Sequence, residues 1–326
     1  MNYDNIREAI QKFPEQLQFQ PEIESKKGLG SYEAFILAGM GGSNLPYGLV
    51  VRLDPTVRIR AHRNYGLPYI PENEKAKTLV IAVSHSGNTE ETLDTYAAAK
   101  AAQIPVAVVA MGGKLLDFAR RDAVPHIEIP NTGLQPRIST GLLFRAVAAL
   151  MGNDTLLAGL AACGPRLAMS RYEQNGGALA EKLKNSEPII YASEKNVGLA
   201  YIWKIKFNET AKIPAFYNLL PELNHNEMIG FDFADTTKQL SQHHSFLLIR
   251  DATDHPRIIR RMDVLAQILE KKGFPVHTTT LEGADDFEKI LGSILTADWT
   301  ALSLAQLYGV EAEQVPLVEE FKKMLG

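Results

Sequence analysis

The chain has 326 residues, of which 45% are hydrophobic and 22% charged, a composition typical of a soluble globular protein. The net charge of -4 and the lack of a long Lys/Arg stripe argue against a nucleic-acid partner. No run of about 18 uninterrupted apolar residues occurs, which argues against a membrane span. Cys163 is the only cysteine, so an internal disulfide and a cysteine metal cluster are excluded, and we expect a cytoplasmic protein.

The first half of the chain alternates apolar strands with helical segments. After an amphipathic opening helix within residues 1–17, strands are predicted at 34–38, 57–61, 78–83, 106–110 and 124–129. Helices are predicted at 45–53, from about residue 89 to 102, and from 141 onward. This alternation is typical of parallel βαβ units.

The pattern restarts after Asn185, with strands at 188–192, 246–250 and 276–280 and helices at 197–212, 257–272 and 287–307. The Gly- and Pro-containing region 152–177 supplies the connection, and we place the two domains at 1–152 and 153–326. The predicted fold class is α/β, with two doubly wound parallel-sheet domains that carry helices on both faces. The halves share an architecture, but no residue-level repeat is evident.

The segment 84–92, SHSGNTEET, lies between a buried strand and a helix. A helix N-terminus offers unpaired backbone N–H groups and a partial positive charge, which together stabilise a phosphate. Ser84, Ser86 and Thr89 add neutral hydroxyl donors. The alternative is an ordinary helix start, in which Thr89 and Thr92 are capping residues.

A second glycine- and serine-containing loop, GMGGS at residues 39–43, follows the first predicted strand. Gly41 and Gly42 let backbone N–H groups approach an anion closely, and Ser43 adds a hydroxyl. The run differs from the GxGxxG pattern of dinucleotide sites. Two such loops at one sheet edge predict a shared phosphate site. Because no Walker lysine is present, we interpret the phosphate as a handle on a small molecule.

Three further residues could carry chemistry. Arg137 ends a rigid loop that follows the predicted strand 124–129 and suits the stabilisation of negative charge, although a surface ion pair is the alternative. Glu209 lies near the end of an apolar and basic helix, where a carboxylate could act as a general base or simply pair with Lys206 or Lys212. His225 lies in a Pro-containing turn. No metal-ligand spacing accompanies the histidines, so no metal site is expected.

Together these segments resemble the bifunctional phosphoglucose/phosphomannose isomerases of the sugar isomerase (SIS) superfamily. The shared motifs are GMGGS at 39–43, SHSGNTEET at 84–92, QPR at 135–137, NE at 208–209 and PELNHNE at 221–227. The resemblance covers nearly the whole chain, and PELNHNE after an upstream Glu is its most specific part.

The resemblance implies a cofactor-free isomerase that interconverts glucose 6-phosphate and mannose 6-phosphate with fructose 6-phosphate through a cis-enediolate. By this resemblance, Glu209 moves a proton between C1 and C2, His225 assists ring opening and Arg137 steadies the enediolate. A C-terminal lysine of the family matches Lys322, with Lys323 as the adjacent alternative.

The same resemblance assigns phosphate binding to the residues of the two loops and implies a homodimer in which His225 reaches into the partner's site. Sugar phosphates are therefore the expected small-molecule partners. A second interpretation is a sugar-phosphate-binding regulator or sensor of the same superfamily without catalysis, since such a protein needs the phosphate loops but no base.

Overall fold

The computed structural model describes residues 3–325, which form two compact units. The N-terminal unit comprises Lys12–Leu167. The C-terminal unit combines the segment through Gln11 with the chain from Ala168 onward.

Helices and strands alternate along the described chain. The α-helices are Asp4–Gln11 (α1), Phe13–Gln16 (α2), Leu45–Leu53 (α3), Glu90–Ala101 (α4), Gly113–Arg121 (α5), Thr140–Leu150 (α6), Asp154–Cys163 (α7), Met169–Leu183 (α8), Val197–Lys206 (α9), Pro256–Lys271 (α10), Asp286–Tyr308 (α11) and Pro316–Leu325 (α12). The strands are Ala34–Ala38 (β1), Ile59–His62 (β2), Thr78–Ser84 (β3), Val106–Ala110 (β4), His126–Glu128 (β5), Glu187–Ser193 (β6), Phe216–Leu220 (β7), His244–Arg250 (β8) and Val276–Thr280 (β9).

The N-terminal unit is built on a five-stranded parallel sheet in the order β2-β1-β3-β4-β5. Every residue of β3 and β4 is buried, as their continuous aliphatic sequences predict for strands covered on both faces. The chain passes from β1 to β2 on one side and then returns to β3 on the other side. The sheet therefore has a topological switch point between the carboxyl ends of β1 and β3, the usual place for a ligand in such folds.

The C-terminal unit repeats this topology with a four-stranded parallel sheet in the order β7-β6-β8-β9, and its switch point lies between β6 and β8. Helix α11 is the one described helix long and apolar enough to cross a membrane, but 83% of its most apolar window is buried inside the protein. Such burial is typical of a core helix. The predicted α/β class with two doubly wound parallel sheets is confirmed.

The division between the units differs from the predicted domains at 1–152 and 153–326. It falls after Leu167, within the predicted connecting region, because α7 belongs to the N-terminal unit. There Arg145 Nη1 donates to the Leu157 carbonyl at 3.0 Å. The predicted opening helix is divided into α1 and α2, and only α1 packs in the C-terminal unit, where Arg7 forms a 2.6 Å ion pair with Glu173. The first two residues of that predicted helix lie outside the described residues.

One local prediction is wrong, and another is confirmed with a change in the type of helix. The Gly176-Gly177 run is predicted to lie in the connection but lies inside α8, where a Cβ on Gly176 would come within 2.4 Å of Trp299 Cβ on α11. Close helix packing, and not a turn, therefore explains that glycine. The helix predicted at 197–212 ends as α9 at Lys206 and continues as a π-helical turn over Phe207–Ala211.

Candidate functional site

The loops predicted to bind phosphate meet at the switch point of the N-terminal unit. Ser43 Oγ accepts a hydrogen bond from the His85 backbone N–H at 3.1 Å, which joins the loop after β1 to the loop after β3. A Cβ on Gly42 would lie 2.6 Å from the Arg137 backbone nitrogen, so the arginine loop packs directly on the first loop. Gly41 adopts a left-handed φ of 49° beside them. Three loops thus converge at one edge of the sheet.

Within the second loop, the hydroxyl groups bond to one another and to the backbone. Ser84 Oγ lies 2.8 Å from Thr89 Oγ1 and accepts from the Thr89 backbone N–H at 3.3 Å. Ser86 Oγ accepts from the Asn88 N–H at 3.3 Å. Thr89 occupies the N-cap position of α4, but its side chain makes no capping hydrogen bond. The side chain of Thr89 therefore does not cap α4 but contacts Ser84 instead.

Two side chains that can carry a positive charge are buried at this edge. Arg137 is 0% exposed, and its backbone carbonyl accepts from Thr140 Oγ1 at 3.0 Å. His85 is 5% exposed, and its Nε2 has no hydrogen-bond partner among the residues that the structure describes. Burial lowers the pKa of His85 below its usual value of 6.5, so its imidazole is neutral near pH 7. The edge therefore combines neutral donors with the buried guanidinium charge of Arg137.

In the C-terminal unit, Glu209 lies on the π-helical turn that follows α9 and is partly buried. Lys212 ends the turn in a left-handed conformation with φ 56°, and its ammonium donates to the Glu209 carbonyl at 2.6 Å and to the Gln314 carbonyl. Asn208 Nδ2 donates to the Ile213 carbonyl at 2.9 Å. The position of Glu209 is thus fixed by side-chain bonds on both sides. Such π turns occur frequently at functional sites.

His225 ends a short 3-10 turn, Glu222–His225, directly after β7, and its side chain is exposed. The following Glu227 anchors this segment to the sheet. Its carboxylate accepts from the Tyr191 hydroxyl at 2.7 Å and from Asn218 Nδ2. Burial and the bond to Glu227 raise the pKa of Tyr191, so the phenol keeps its proton and remains a donor.

Sequence reasoning missed the anchoring roles of Lys212 and Glu227. The available signal was their position, since Lys212 follows Glu209 by three residues and Glu227 ends the PELNHNE motif that contains His225. Lys322 lies on α12, which buries none of its described residues, and its 60% exposed side chain pairs with Glu319 at 2.8 Å. Within residues 3–325, no group of three or more His, Cys, Asp or Glu side chains is arranged to hold a metal ion.

Known proteins resemble this chain over nearly its whole length. A family model described as the bacterial phospho-glucose isomerase C-terminal SIS domain matches residues 173–325. The bifunctional phosphoglucose/phosphomannose isomerase of Caldicellulosiruptor bescii is 31% identical over 98% of this chain and 98% of its own length. The protein of the same name from Aquifex aeolicus is 28% identical over 99% and 98% of the two chains.

A solved structure shows the same fold. The tagatose-6-phosphate ketose/aldose isomerase from Escherichia coli superposes with a TM-score of 0.68 over 94% of this chain and 93% of its own. Its sequence identity of 16% makes this a likeness of fold alone.

Proposed function

The chain belongs to the family of bifunctional phosphoglucose/phosphomannose isomerases, and on that premise we propose that it interconverts glucose 6-phosphate and mannose 6-phosphate with fructose 6-phosphate. The reaction is an intramolecular oxidation and reduction that needs no external electron carrier. The observation that carries the proposal is a 31% identical relative that matches 98% of the chain.

The loops at the first switch point hold the substrate phosphate. A phosphoryl group carries about -1.5 to -2 charges at pH 7 and offers several strong acceptor oxygens. Ser43, Ser84, Ser86 and Thr89 provide hydroxyl groups, while the N-terminus of α4 and the backbone at Gly41 and Gly42 provide N–H groups. The proposed phosphate-binding residues are therefore Gly41, Gly42, Ser43, Ser84, Ser86 and Thr89.

Glu209 is the base of the proposed reaction. It takes the proton from C2 of the open-chain aldose, the C1 carbonyl oxygen receives the displaced electron pair, and an enediolate forms. The O2 hydroxyl then gives up its proton while O1 takes one up. Return of the proton from Glu209 to C1, as the C2–O2 bond becomes the carbonyl, gives the ketose. Glucose and mannose 6-phosphates differ only at C2, which is planar in the enediolate, so both aldoses lead to one intermediate.

Three other residues assist this sequence. His225 exchanges a proton with the ring oxygen during ring opening, in which the bond between C1 and that oxygen breaks. The buried guanidinium of Arg137 offsets the negative charge that develops on the enediolate. By the family resemblance, Lys322, or the adjacent Lys323, would contribute an ammonium that offsets the same negative charge.

The direct test is a coupled assay of purified protein on glucose 6-phosphate and on mannose 6-phosphate in excess chelator. We expect turnover of both, and Glu209→Gln should lower kcat by roughly 100-fold to 10,000-fold, the usual contribution of a general base. Glu270→Gln, at an exposed position of α10, is the matched control and should leave kcat unchanged. Wild-type turnover in Glu209→Gln would refute the assigned base.

The same assay separates this proposal from a sugar-phosphate sensor. A sensor would bind fructose 6-phosphate, detected by calorimetry, but would show no turnover of any of the three sugars. Binding without turnover in the wild-type protein would therefore favour the sensor and overturn the proposed enzyme.

A further inference from the structure

The loop after β8 in the C-terminal unit matches the loop after β3 in the N-terminal unit in strand register and in length. Ser84 at the end of β3 pairs with Ala110 at the end of β4, and Arg250 at the end of β8 pairs with Thr280 at the end of β9. Loops of equal length, 85–89 and 251–255, then lead into α4 and α10. By this register Asp251 occupies the position of His85.

The loops after β1 and β6 differ in length, but each contains a 3-10 turn that leads into the next helix. A 3-10 turn, Gly41–Asn44, leads into α3, and another, Glu194–Asn196, leads into α9. In the N-terminal unit Ser43 accepts a hydrogen bond from His85 N. In the C-terminal unit Asn196 Nδ2 donates to Asp251 Oδ2 at 3.2 Å. At both switch points, therefore, the first loop contacts the first residue of the second loop.

The two switch points differ in what fills them. The side chain of Asp251 is 0% exposed, and its Oδ1 accepts from the Thr253 backbone N–H at 2.9 Å and from Thr253 Oγ1 at 2.7 Å. The Lys195 ammonium lies 3.1 Å from its other oxygen. A second buried carboxylate, Asp254, accepts from Ser193 Oγ at 2.8 Å. A backbone N–H, hydroxyls, an amide and an ammonium are the donors that a bound phosphate would use.

The carboxylate of Asp251 stays ionised in this position. Burial alone would raise the pKa of Asp251, but the hydrogen bonds from Thr253, Lys195 and Asn196 outweigh burial and hold the pKa below its ordinary value. The second switch point thus contains a permanent negative charge, surrounded by groups that stabilise a negative charge.

We propose that Asp251 is a built-in anion that fills the second switch point, where the first switch point binds the phosphate of a substrate. The C-terminal unit then retains the donors of an anion-binding site, but the Asp251 carboxylate occupies that site. The statement that the first switch point binds phosphate rests on the proposed function. The statement that Asp251 occupies the second switch point rests on the contacts of Asp251 itself. Removal of the carboxylates should open a site for inorganic phosphate.

The test compares two double variants of the full-length protein. Asp251→Ala combined with Asp254→Asn removes both charges and vacates the space of the Asp251 carboxyl group. Asp251→Asn combined with Asp254→Asn removes the same charges but keeps that space filled, so it is the matched control. Equilibrium dialysis with labelled inorganic phosphate at constant ionic strength counts the phosphates bound per chain.

We expect the first variant to bind one more phosphate than both the control and the wild type, and Lys195→Met added to it should abolish the gain. Equal counts in the two double variants would overturn the inference. The wild-type count reports on the first switch point, and so on the proposed function, while the difference between the variants reports on Asp251 alone. If the first variant is unfolded in chloride buffer, refolding in phosphate but not chloride, followed by near-ultraviolet circular dichroism, supports the inference, and no such refolding overturns it.

Discussion

At the scale of single residues, the sequence predicts chemical types better than environments. Ser43 and Ser84 are predicted site residues because hydroxyls after buried strands suit a phosphate, and the structure places both in loops that meet. The complete burial of Arg137 and the anchoring of Glu227 by Tyr191 were not predicted. Burial and anchoring depend on contacts between segments far apart in the chain, which a motif does not encode.

The buried imidazole of His85 makes stability depend on pH. Burial lowers its folded pKa below 6.5, whereas the unfolded chain takes up a proton near that value. Its contribution to the free energy of unfolding is therefore fully present above pH 6.5 and is lost as the pH falls from there toward the folded pKa. His85→Gln should reduce this acid sensitivity, by at most about 1.4 kcal/mol per pH unit.

Urea unfolding on either side of pH 6.5 measures this effect for wild type and variant. The exposed His243 provides the control, and His243→Gln should leave the wild-type pH dependence in place. An unchanged slope in His85→Gln would show that the imidazole is not responsible.

At the scale of elements, continuous apolar runs were located most accurately. The bounds of β1, β4 and β9 agree with the predicted 34–38, 106–110 and 276–280, because turn residues bracket each run. The helix predicted at 197–212 agrees with α9 together with the π turn that follows it. The change to π hydrogen bonding was not predicted, since a π turn keeps the helical residue pattern. The helical position of Gly176 was missed because its signal is packing against α11 and not local propensity.

The loop between β3 and α4 depends on Gly87 for two separate reasons. Its φ is +71°, in the left-handed region, and a Cβ there would lie 1.7 Å from the Gly112 carbonyl oxygen. Gly133 has a similar φ of +70°, but a Cβ on it would meet nothing within 4 Å. Gly133→Ala should therefore cost about 1 kcal/mol of backbone strain, while Gly87→Ala should cost roughly 3 kcal/mol because strain and overlap add.

Urea unfolding of the two alanine variants gives this comparison directly. Equal losses in Gly87→Ala and Gly133→Ala would mean that the loop relaxes away from Gly112 without a penalty. In that case the close packing of the loop between β3 and α4 on the segment before α5 would not contribute to stability.

At the scale of the whole molecule, the alternation of strands and helices predicted two related units, and the structure shows the same switch-point topology in both. No residue-level repeat was visible in the sequence. The reason lies in the corresponding pairs: Ser43 and His85 in one unit match Asn196 and Asp251 in the other. The backbone frame is kept while the side chains differ in chemistry, so a comparison of residue types does not detect the repeat.

The family resemblance implies a homodimer in which His225 serves the partner's site, and this gives a prediction for mixed subunits. A hybrid of one Glu209→Gln subunit with one His225→Ala subunit would contain one site with both changes and one site with neither. Equal mixing should therefore restore about a quarter of the wild-type activity, although each variant alone is impaired. The exposed position of His225 at the end of its turn is compatible with such a reach. Tagged subunits and co-purification show whether exchange has occurred, and a hybrid that forms but remains inactive would mean that each chain uses its own His225.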